Sequence, residues 1–203
     1  MGHLHLVLNG WAEAPKTNGR MAIDLAREAL QATQNDSGTL ANAAAVLANF
    51  GEDIGAMIAL VDRALAINPS FARGWMLSGL LRGFDGQHDL SIELIETAVR
   101  LSPRDRMGQP LSAIGAAYFF KHRFDEAAAN LLVAIQDNPG FSLCYRTLAA
   151  CYAHMGRLDE ARAIVTRLRA ISPEVVPSIL SYRNPEDREL LLSGLRLAAG
   201  EST

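Results

Sequence analysis

The sequence has no excess of positive charge and no long hydrophobic run, and both absences narrow what the protein can do. Its 203 residues include 19 basic and 22 acidic side chains, which gives a net charge of -3. Proteins that bind nucleic acid or an anionic membrane directly present a basic face, so we expect neither partner. No apolar run reaches the roughly 18 residues that a membrane-spanning helix requires. The opening MGHLHLVLNGW has no Lys or Arg before its apolar residues, unlike a secretory signal.

Cysteine is scarce, and its spacing excludes a disulfide. The two cysteines, Cys144 and Cys151, lie seven residues apart on one predicted helix, which places their Cα atoms ~10 Å apart. A disulfide requires Cα atoms within about 7 Å, and a redox motif would have the spacing C-x-x-C. We therefore expect two free thiols. Free thiols are typical of the reducing cytoplasm, so we expect the protein to be cytoplasmic.

Motifs that carry catalysis or bind cofactors are also missing. The sequence contains no G-x-S-x-G, no H-E-x-x-H, no phosphate-binding loop and no G-x-G-x-x-G. Three histidines, His88, His122 and His154, fall at or near predicted turns rather than in a set with carboxylates that could bind a metal. The sequence therefore predicts a protein that is not an enzyme and that has no cofactor and no metal site.

What the sequence does have is an internal repeat. Prolines recur at intervals of 34, 36 and 34 residues, at positions 69, 103, 139 and 173. Each proline ends a helix-like phrase: VDRALAINP, IETAVRLSP, LLVAIQDNP or VTRLRAISP. Between these phrases a large residue precedes a small one by four positions, as in Trp75 and Gly79 or Tyr145 and Ala149. Small residues let two helix backbones approach while bulky neighbours fill the adjacent space, so the pattern predicts antiparallel helix pairs.

Turn signals separate the two helices of each predicted pair. The phrases NFGEDI, FDGQHDL and MGRLDE each place a glycine ahead of an aspartate, and KHRFDE has the aspartate alone. Glycine commonly ends a helix, and aspartate commonly caps the start of the next. We therefore expect glycine C-caps and aspartate N-caps at these turns.

The spaced residues resemble the tetratricopeptide repeat, whose signature combines large, small and proline positions in a period of about 34 residues. Two copies carry the resemblance most clearly. They contain Trp75, Ser78, Gly79, Ser91, Ile95, Ala98 and Pro103, and then Leu111, Ile114, Gly115, Tyr118, Ala127, Leu131, Ala134 and Pro139. The resemblance implies an all-α fold, a right-handed α-solenoid of about five antiparallel helix pairs with a C-terminal capping helix.

We predict a tetratricopeptide-like array over residues 3–175 and a linker with a capping helix over 176–203. In the first pair, a helix over 3–13 precedes a loop, APKTNGR, and a second helix from about Met21. Near the end, Asn184 is a predicted N-cap and Gly200 a predicted stop for the capping helix at about 185–199. The pairs are predicted at approximately 3–35, 37–69, 72–103, 108–139 and 142–173.

A longer pattern resembles the C-terminal tetratricopeptide region of bacterial, notably alphaproteobacterial, adenylate/guanylate cyclase-type proteins and winged-helix regulators. The residues that carry it lie at 69–79, 101–105, 156–162 and 183–196. In those proteins a catalytic or DNA-binding domain precedes the repeats, whereas the repeats predicted here begin near residue 3. The resemblance implies a signalling role, either as a stand-alone repeat protein or as a region without its upstream domain.

The surface predicted to bind a partner is the concave groove, lined by the first helix of each pair at positions that the packing pattern does not use. Arg73 and Arg146 are predicted anion anchors in an otherwise apolar-to-neutral groove, which also contains small residues such as Ala150. The alternative is that these positions are merely semi-exposed surface or are covered by the chain's own C-terminal helix. The candidate groove residues are Trp11, Asn42, Asn49, Arg73, Met76, Leu80, Gln109, Ser112, Phe119 and Arg146.

The sequence thus predicts a non-catalytic protein–protein interaction scaffold that binds a peptide or a partner helix in its concave groove. The alternative function is a regulatory or oligomerisation module of a nucleotide cyclase or transcription regulator that lacks its upstream effector domain. The predicted first helix has apolar residues and little to cover them, so a homodimer through this helix is a second candidate interaction. The apolar residues are Leu4, Leu6, Val7 and Leu8.

Overall fold

Helices account for all the regular secondary structure in the part of the chain that is described. The structure, a computed structural model, describes residues 15–33, 35–103, 107–177 and 181–200. These ranges contain ten helices and no strand, which confirms the all-α fold class. None of these helices is both long and apolar enough to cross a membrane. The helices are α1 (Pro15–Ala32), α2 (Ser37–Asn49), α3 (Ile54–Ile67), α4 (Ala72–Phe84), α5 (His88–Leu101), α6 (Gly108–Phe120), α7 (Phe124–Asp137), α8 (Ser142–His154), α9 (Leu158–Arg169) and α10 (Pro185–Ala199).

The turns inside the helix pairs use a left-handed backbone, as the glycines in the sequence predicted. Gly51, Gly86 and Gly156 have φ angles of 94°, 85° and 75°, a region that glycine adopts without steric cost. His122 takes the same conformation, with φ of 56°, in the one turn of this series that has no glycine. A single left-handed residue therefore reverses the chain between the helices of each of these pairs.

The predicted aspartate N-caps are correct only before α3. There the Asp53 side chain accepts a hydrogen bond from the Ala56 backbone N–H at 2.7 Å. Before α5, α7 and α9 the N-cap residue is Gln87, Arg123 or Arg157, and none of these makes a side-chain capping bond. The aspartates of these turns lie inside the first helical turn, where their charge interacts favourably with the positive end of the helix dipole.

The first described helix starts earlier than the sequence predicted. α1 begins at Pro15 rather than at about Met21, so residues 15–20 belong to a helix and not to a loop. Proline fits the first position of a helix because its missing N–H would have no intrahelical partner there. The helix predicted over 3–13 lies outside the described residues, together with Trp11 and the candidate dimer surface.

The chain divides into two compact units, and the first contains α1 to α5 together with Ser181. Within it α2 packs against α1, α3 and α4, and α4 packs against α5. Gly79 lies where α4 and α5 cross: a Cβ atom there would lie 2.6 Å from Ile95 Cγ1 and 2.8 Å from the Ser91 carbonyl oxygen. This contact confirms the packing role that the sequence predicted for Gly79.

The second unit contains α6 to α10. α6 packs against α7, and α8 packs against α6, α7, α9 and α10. Gly115 repeats the arrangement at Gly79, because a Cβ atom there would lie 2.8 Å from Leu131 Cγ and 3.2 Å from the Ala127 carbonyl oxygen. At the equivalent position in α8, Ala149 is completely buried.

Each unit contains an equivalent hydrogen bond, which shows that the two units use the same repeat register. In the first unit the Trp75 indole N–H donates to the Pro69 carbonyl at 2.8 Å. In the second unit the Tyr145 hydroxyl donates to the Pro139 carbonyl at 3.0 Å. In these two copies, therefore, the first large residue ties its helix to the proline turn before it.

α10 has the ends that the sequence assigned to it. The Asn184 side chain accepts a hydrogen bond from a backbone N–H of the first turn, and Pro185 is the first helical residue. Gly200 ends the helix in the left-handed conformation, with φ of 80°. Leu191 and Leu195 are completely buried on one face, so α10 packs against the rest of the unit through an apolar stripe.

Candidate functional site

The inner face of α8 carries the chain's own C-terminal helix. By inner face we mean the side of the first helix of each pair that bears the candidate groove residues. α10 comes closest at Gly194, where a Cβ atom would lie 2.7 Å from both Ala150 Cβ and His154 Nε2. The His154 Nε2–H donates to the Leu190 carbonyl at 2.8 Å, since a carbonyl oxygen can only accept. At α8, therefore, the groove is filled by α10.

Arg146 is buried and does not serve as an exposed anion anchor. It is only 3% exposed. Its guanidinium donates to the hydroxyls of Ser142 and Ser172, both at 2.9 Å. It also donates to the carbonyls of Glu174 and Val175, at 2.8 and 3.2 Å. Burial lowers the pKa of Arg146, and the Glu174 carboxylate opposes that shift. The predicted anchor role is wrong: Arg146 ties the segment after α9 to α8.

Four more candidate groove residues are buried as well. Asn49 accepts a hydrogen bond from the Ser181 hydroxyl at 2.6 Å, and the Phe119 ring lies 5.9 Å from the His154 ring. The prediction that these side chains line an open surface is wrong. The pattern of one repeat identifies contacts within a helix pair, but not contacts with the next helix or with a distant segment. The four residues are Asn49, Met76, Ser112 and Phe119.

The segment that leads into α10 also covers the second unit. The Tyr182 ring packs edge-on against Phe120, with ring centroids 4.5 Å apart. Burial raises the pKa of the Tyr182 phenol, and the neighbouring charge of the buried Asp187 acts in the same direction. The phenol is therefore neutral at ordinary pH, and this part of the inner surface is a packed interior.

The candidate residues that remain accessible are few. In the first unit, Arg73 is exposed and its Nε–H donates to Asn42 Oδ1 at 3.0 Å. The Asn42 amide in turn donates to the Gly38 carbonyl at 2.8 Å. Among the described residues, no further hydrogen-bond partner is found for the two terminal nitrogens of Arg73. Leu80 is half-buried on the same helix, and Gln109 is exposed in the second unit.

A pocket on the opposite side of α4 was not predicted from the sequence. It has a volume of about 400 Å³, lies between α3 and α5, and has α4 as its floor. Trp75, Ser78 and Arg82 supply the floor, and the helical period places them on the face of α4 opposite Arg73 and Leu80. A sequence signal was available, because Ser78 and Arg82 stand where other copies of the repeat have apolar or aromatic residues.

The described ranges also contain His, Asp and Glu side chains and the two cysteines. No group of three or more His, Cys, Asp or Glu side chains there is placed to hold a metal ion. Cys144 and Cys151 are free thiols, as predicted, and both are buried. Burial raises the pKa of Cys144 to about 11 and that of Cys151 to about 12, so both stay protonated and are poor nucleophiles.

Comparison with known proteins identifies the repeat. Residues 121–179 match the tetratricopeptide repeat (TPR) family. The matched segment contains α7 to α9. No curated protein is significantly similar to the chain in sequence. The resemblance to the C-terminal regions of cyclase-type proteins and winged-helix regulators stays a prediction.

Solved structures extend the likeness to nearly the whole chain. A thermophilic TPR protein of Thermus thermophilus is 21% identical with a TM-score of 0.65, and the match covers 96% of this chain and 97% of that one. YrrB, a TPR protein with an unusual peptide-binding site, is 20% identical with a TM-score of 0.54, over 87% and 92% of the two chains. MamA from Desulfovibrio magneticus RS-1 is 17% identical with a TM-score of 0.57, over 84% and 96%. At these identities the likeness defines the fold, an α-solenoid of the TPR class.

Proposed function

We propose that the protein is a non-catalytic scaffold that binds a helix or an extended segment of a partner protein on its inner helical face. The seat of α10 on α8 supports this most directly. There, Gly194 removes a side chain at the closest approach, and the His154 imidazole donates to the Leu190 backbone carbonyl. An inner face that accepts a helix of its own chain has the shape and hydrogen-bonding groups to accept one from a partner.

In the first unit we place the partner on α2 and α4. Arg73 is exposed there, and its position is fixed by the hydrogen bond to Asn42. Leu80, two turns further along α4, adds a half-buried apolar contact. A cation next to an apolar side chain suits a partner segment that combines an acidic or carbonyl group with an apolar residue. The reported peptide-binding site of YrrB, which shares this fold, is consistent with such a role.

Site-specific photo-crosslinking in cells of the source organism tests this placement. A photoreactive residue at Leu80 or at Arg73 should capture the same partner protein. The matched control is Arg100, whose exposed side chain lies on α5, and it should capture little. Combining the Leu80 probe with Arg73→Glu should reduce capture, because the substitution reverses the charge beside the partner. Capture from Arg100 alone, or equal capture with and without Arg73→Glu, would contradict the placement.

A further inference from the structure

We propose that the pocket between α3 and α5 binds an aromatic side chain of a partner protein, which stacks on the guanidinium of Arg82. This site goes beyond the inner-face binding proposed above, because it lies on the opposite side of α4 and uses different residues. A comparison of the repeat copies within the chain, the geometry of Arg82 and the walls of the pocket each support it.

Two other copies of the repeat contain a three-residue cluster of tyrosine, arginine and glutamate. In the pair α8–α9, Arg157 Cζ lies 4.5 Å from the centroid of the Tyr152 ring. The Arg157 Nε–H donates to Glu160 at 2.6 Å. In the pair α6–α7, Arg123 Cζ lies 4.6 Å from the centroid of the Tyr118 ring, and Arg123 also pairs with a glutamate. In each cluster the arginine lies over an aromatic ring and also donates hydrogen bonds to a carboxylate.

The pair α4–α5 replaces every member of this cluster. Arg82 stands at the tyrosine position, Gln87 at the arginine position and Leu90 at the glutamate position. Ser78 also replaces a leucine, Leu148 in α8. This copy therefore keeps an arginine but lacks the ring. Among the described residues, no aromatic ring lies over the Arg82 guanidinium.

The edges of the Arg82 guanidinium are held by hydrogen bonds. Its Nη2–H donates to both carboxylate oxygens of Asp62 at 3.0 Å, and its Nη1–H donates to the Ser78 hydroxyl. Arg82 is thus fixed by polar groups at its edges, as Arg157 is by Glu160. A guanidinium held in this way can still stack through its flat face. The positive charge complements the negative face of an aromatic ring.

The rest of the pocket favours a ring over a free anion. Its volume of about 400 Å³ lies within the range of small-ligand sites. Asp62, whose side chain is 49% exposed, places a negative charge beside Arg82 and disfavours a carboxylate or phosphate. Leu90 is 37% exposed, so it offers apolar area to an incoming ring. Trp75 adds apolar area to the floor, and the apolar walls are formed by Leu65, Ala66, Pro69, Leu90 and Leu94.

Nuclear magnetic resonance of the Trp75 indole N–H tests the proposal directly. The chain has two tryptophans, so Trp11→Phe leaves Trp75 as the single indole signal. N-acetyl-phenylalaninamide and N-acetyl-tyrosinamide should shift this signal saturably, and N-acetyl-leucinamide should shift it much less. Arg73→Glu, on the inner face, should leave the response unchanged. No saturable shift with either aromatic amide, or an equal response to the leucine amide, would overturn the proposal.

Two variants show whether the ring stacks on Arg82. Ser78→Leu with Arg82→Tyr restores the residues of α8, fills the pocket and should abolish the shift while raising the melting temperature. Arg82→Lys keeps the charge without the planar face and should weaken the response several-fold, which remains informative if the double variant does not fold. An unchanged response in Arg82→Lys would overturn the stacking.

Selection of displayed peptides identifies what the pocket prefers when the ligand is part of a protein. Peptides are selected on the full chain and counter-selected on the double variant, which removes sequences that bind the inner face. We expect the surviving peptides to share an aromatic residue. A consensus that is acidic or aliphatic, or no enrichment at all, would overturn the proposal and leave the inner-face function untouched.

Discussion

The helix pairs α4–α5 and α8–α9 are copies of one repeat, yet they differ on both faces. On the inner face, α8 is covered by α10, whereas α4 presents Arg73 to solvent. The faces opposite these, which we call the outer faces, differ in the same direction, because the second pair is again filled and the first is again open. Leu148 and Tyr152 are buried in the second pair, and Ser78 and Arg82 leave a pocket in the first.

This difference shows that one set of residues determines how the two helices of a pair cross, and another set determines the surfaces of the pair. Gly79 and Ala149 occupy the same close crossing in the two pairs. In a repeat array each pair contacts mainly its neighbours, so a polar substitution on one outer face disturbs packing only locally. A single pair can therefore gain a binding site while the crossing that defines the fold is kept.

Transferring the polar residues Ser78 and Arg82 of α4 to the equivalent positions of α8 should lower the free energy of unfolding more than any other change considered below. Leu148 is fully buried and Tyr152 is 7% exposed, so Leu148→Ser with Tyr152→Arg removes buried apolar volume and introduces a charge. The position equivalent to Asp62 is Leu132, and this leaves the new arginine without its carboxylate. We expect the free energy of unfolding to fall by about 3–5 kcal/mol, as measured by urea denaturation.

A volume-conserving change, Leu148→Ile, provides the control for this transfer and should cost less than about 1.5 kcal/mol. If the double variant were as stable as that control, the two outer faces would be interchangeable. The contrast drawn between the pairs would then be wrong.

Gly194→Leu should disturb the packing of α10 on the inner face of α8, and it should lower the free energy of unfolding less than the transfer does. A side chain at this position would enter the space of Ala150 and His154, each 2.7 Å from a Cβ atom. Overpacking of this kind costs about 1–3 kcal/mol. Hydrogen exchange in α8 should accelerate as α10 separates, whereas α4 should keep its protection because nothing in its own unit changes.

Arg196→Leu is the matched control for Gly194→Leu, since it introduces the same residue two positions away on a side chain that is 42% exposed. It should leave exchange in α8 unaltered. Equal exchange in the two variants would mean that α10 does not depend on the glycine contact for its seat.

Much of the fold could be predicted because its signals are local. The large-to-small spacing at Trp75 and Gly79 and the left-handed glycines in the turns act within one helix pair. The start of α1 was predicted too late, because Pro15 is compatible with either a loop or a first helical turn. Local sequence patterns therefore predict which helices form a pair more reliably than they predict the residue at which a helix begins.

The candidate site was predicted less well, because its contacts are distant in sequence. Arg146 was expected to be open, but it is bound by Ser172 and by the carbonyls of Glu174 and Val175. The pattern of a repeat contains no information about the path of a later segment across it. One signal was present in Gly194, since a glycine inside a helix costs stability and often marks a close approach.

The buried thiols of Cys144 and Cys151 give the smallest expected difference between α8 and α4. Both thiols lie in α8, whereas α4 has Gly74 and Leu81 at the equivalent positions. Burial raises the pKa of Cys144 to about 11 and that of Cys151 to about 12, from 9.0. Below pH 9.0 the thiols are protonated in both states, and their contribution to stability is fully present. Above it the unfolded state releases protons first, so this stability is lost as the pH rises towards the folded-state pKa.

At about pH 10, ionisation of each thiol in the unfolded chain should lower the free energy of unfolding by about 1.4 kcal/mol relative to its value at neutral pH. Cys151→Ala should remove its share of this alkaline loss, as measured by urea unfolding across the pH range. Val165→Ala, at a buried position in α9, should lower stability equally at every pH and serves as the control. Hydrogen exchange should place the alkaline loss in α8 and not in α4. If Cys151→Ala left the alkaline loss of stability unchanged, the thiol would ionise as easily in the folded protein as in the unfolded chain. In that case α8 would not be the dry interior that its contact with α10 implies.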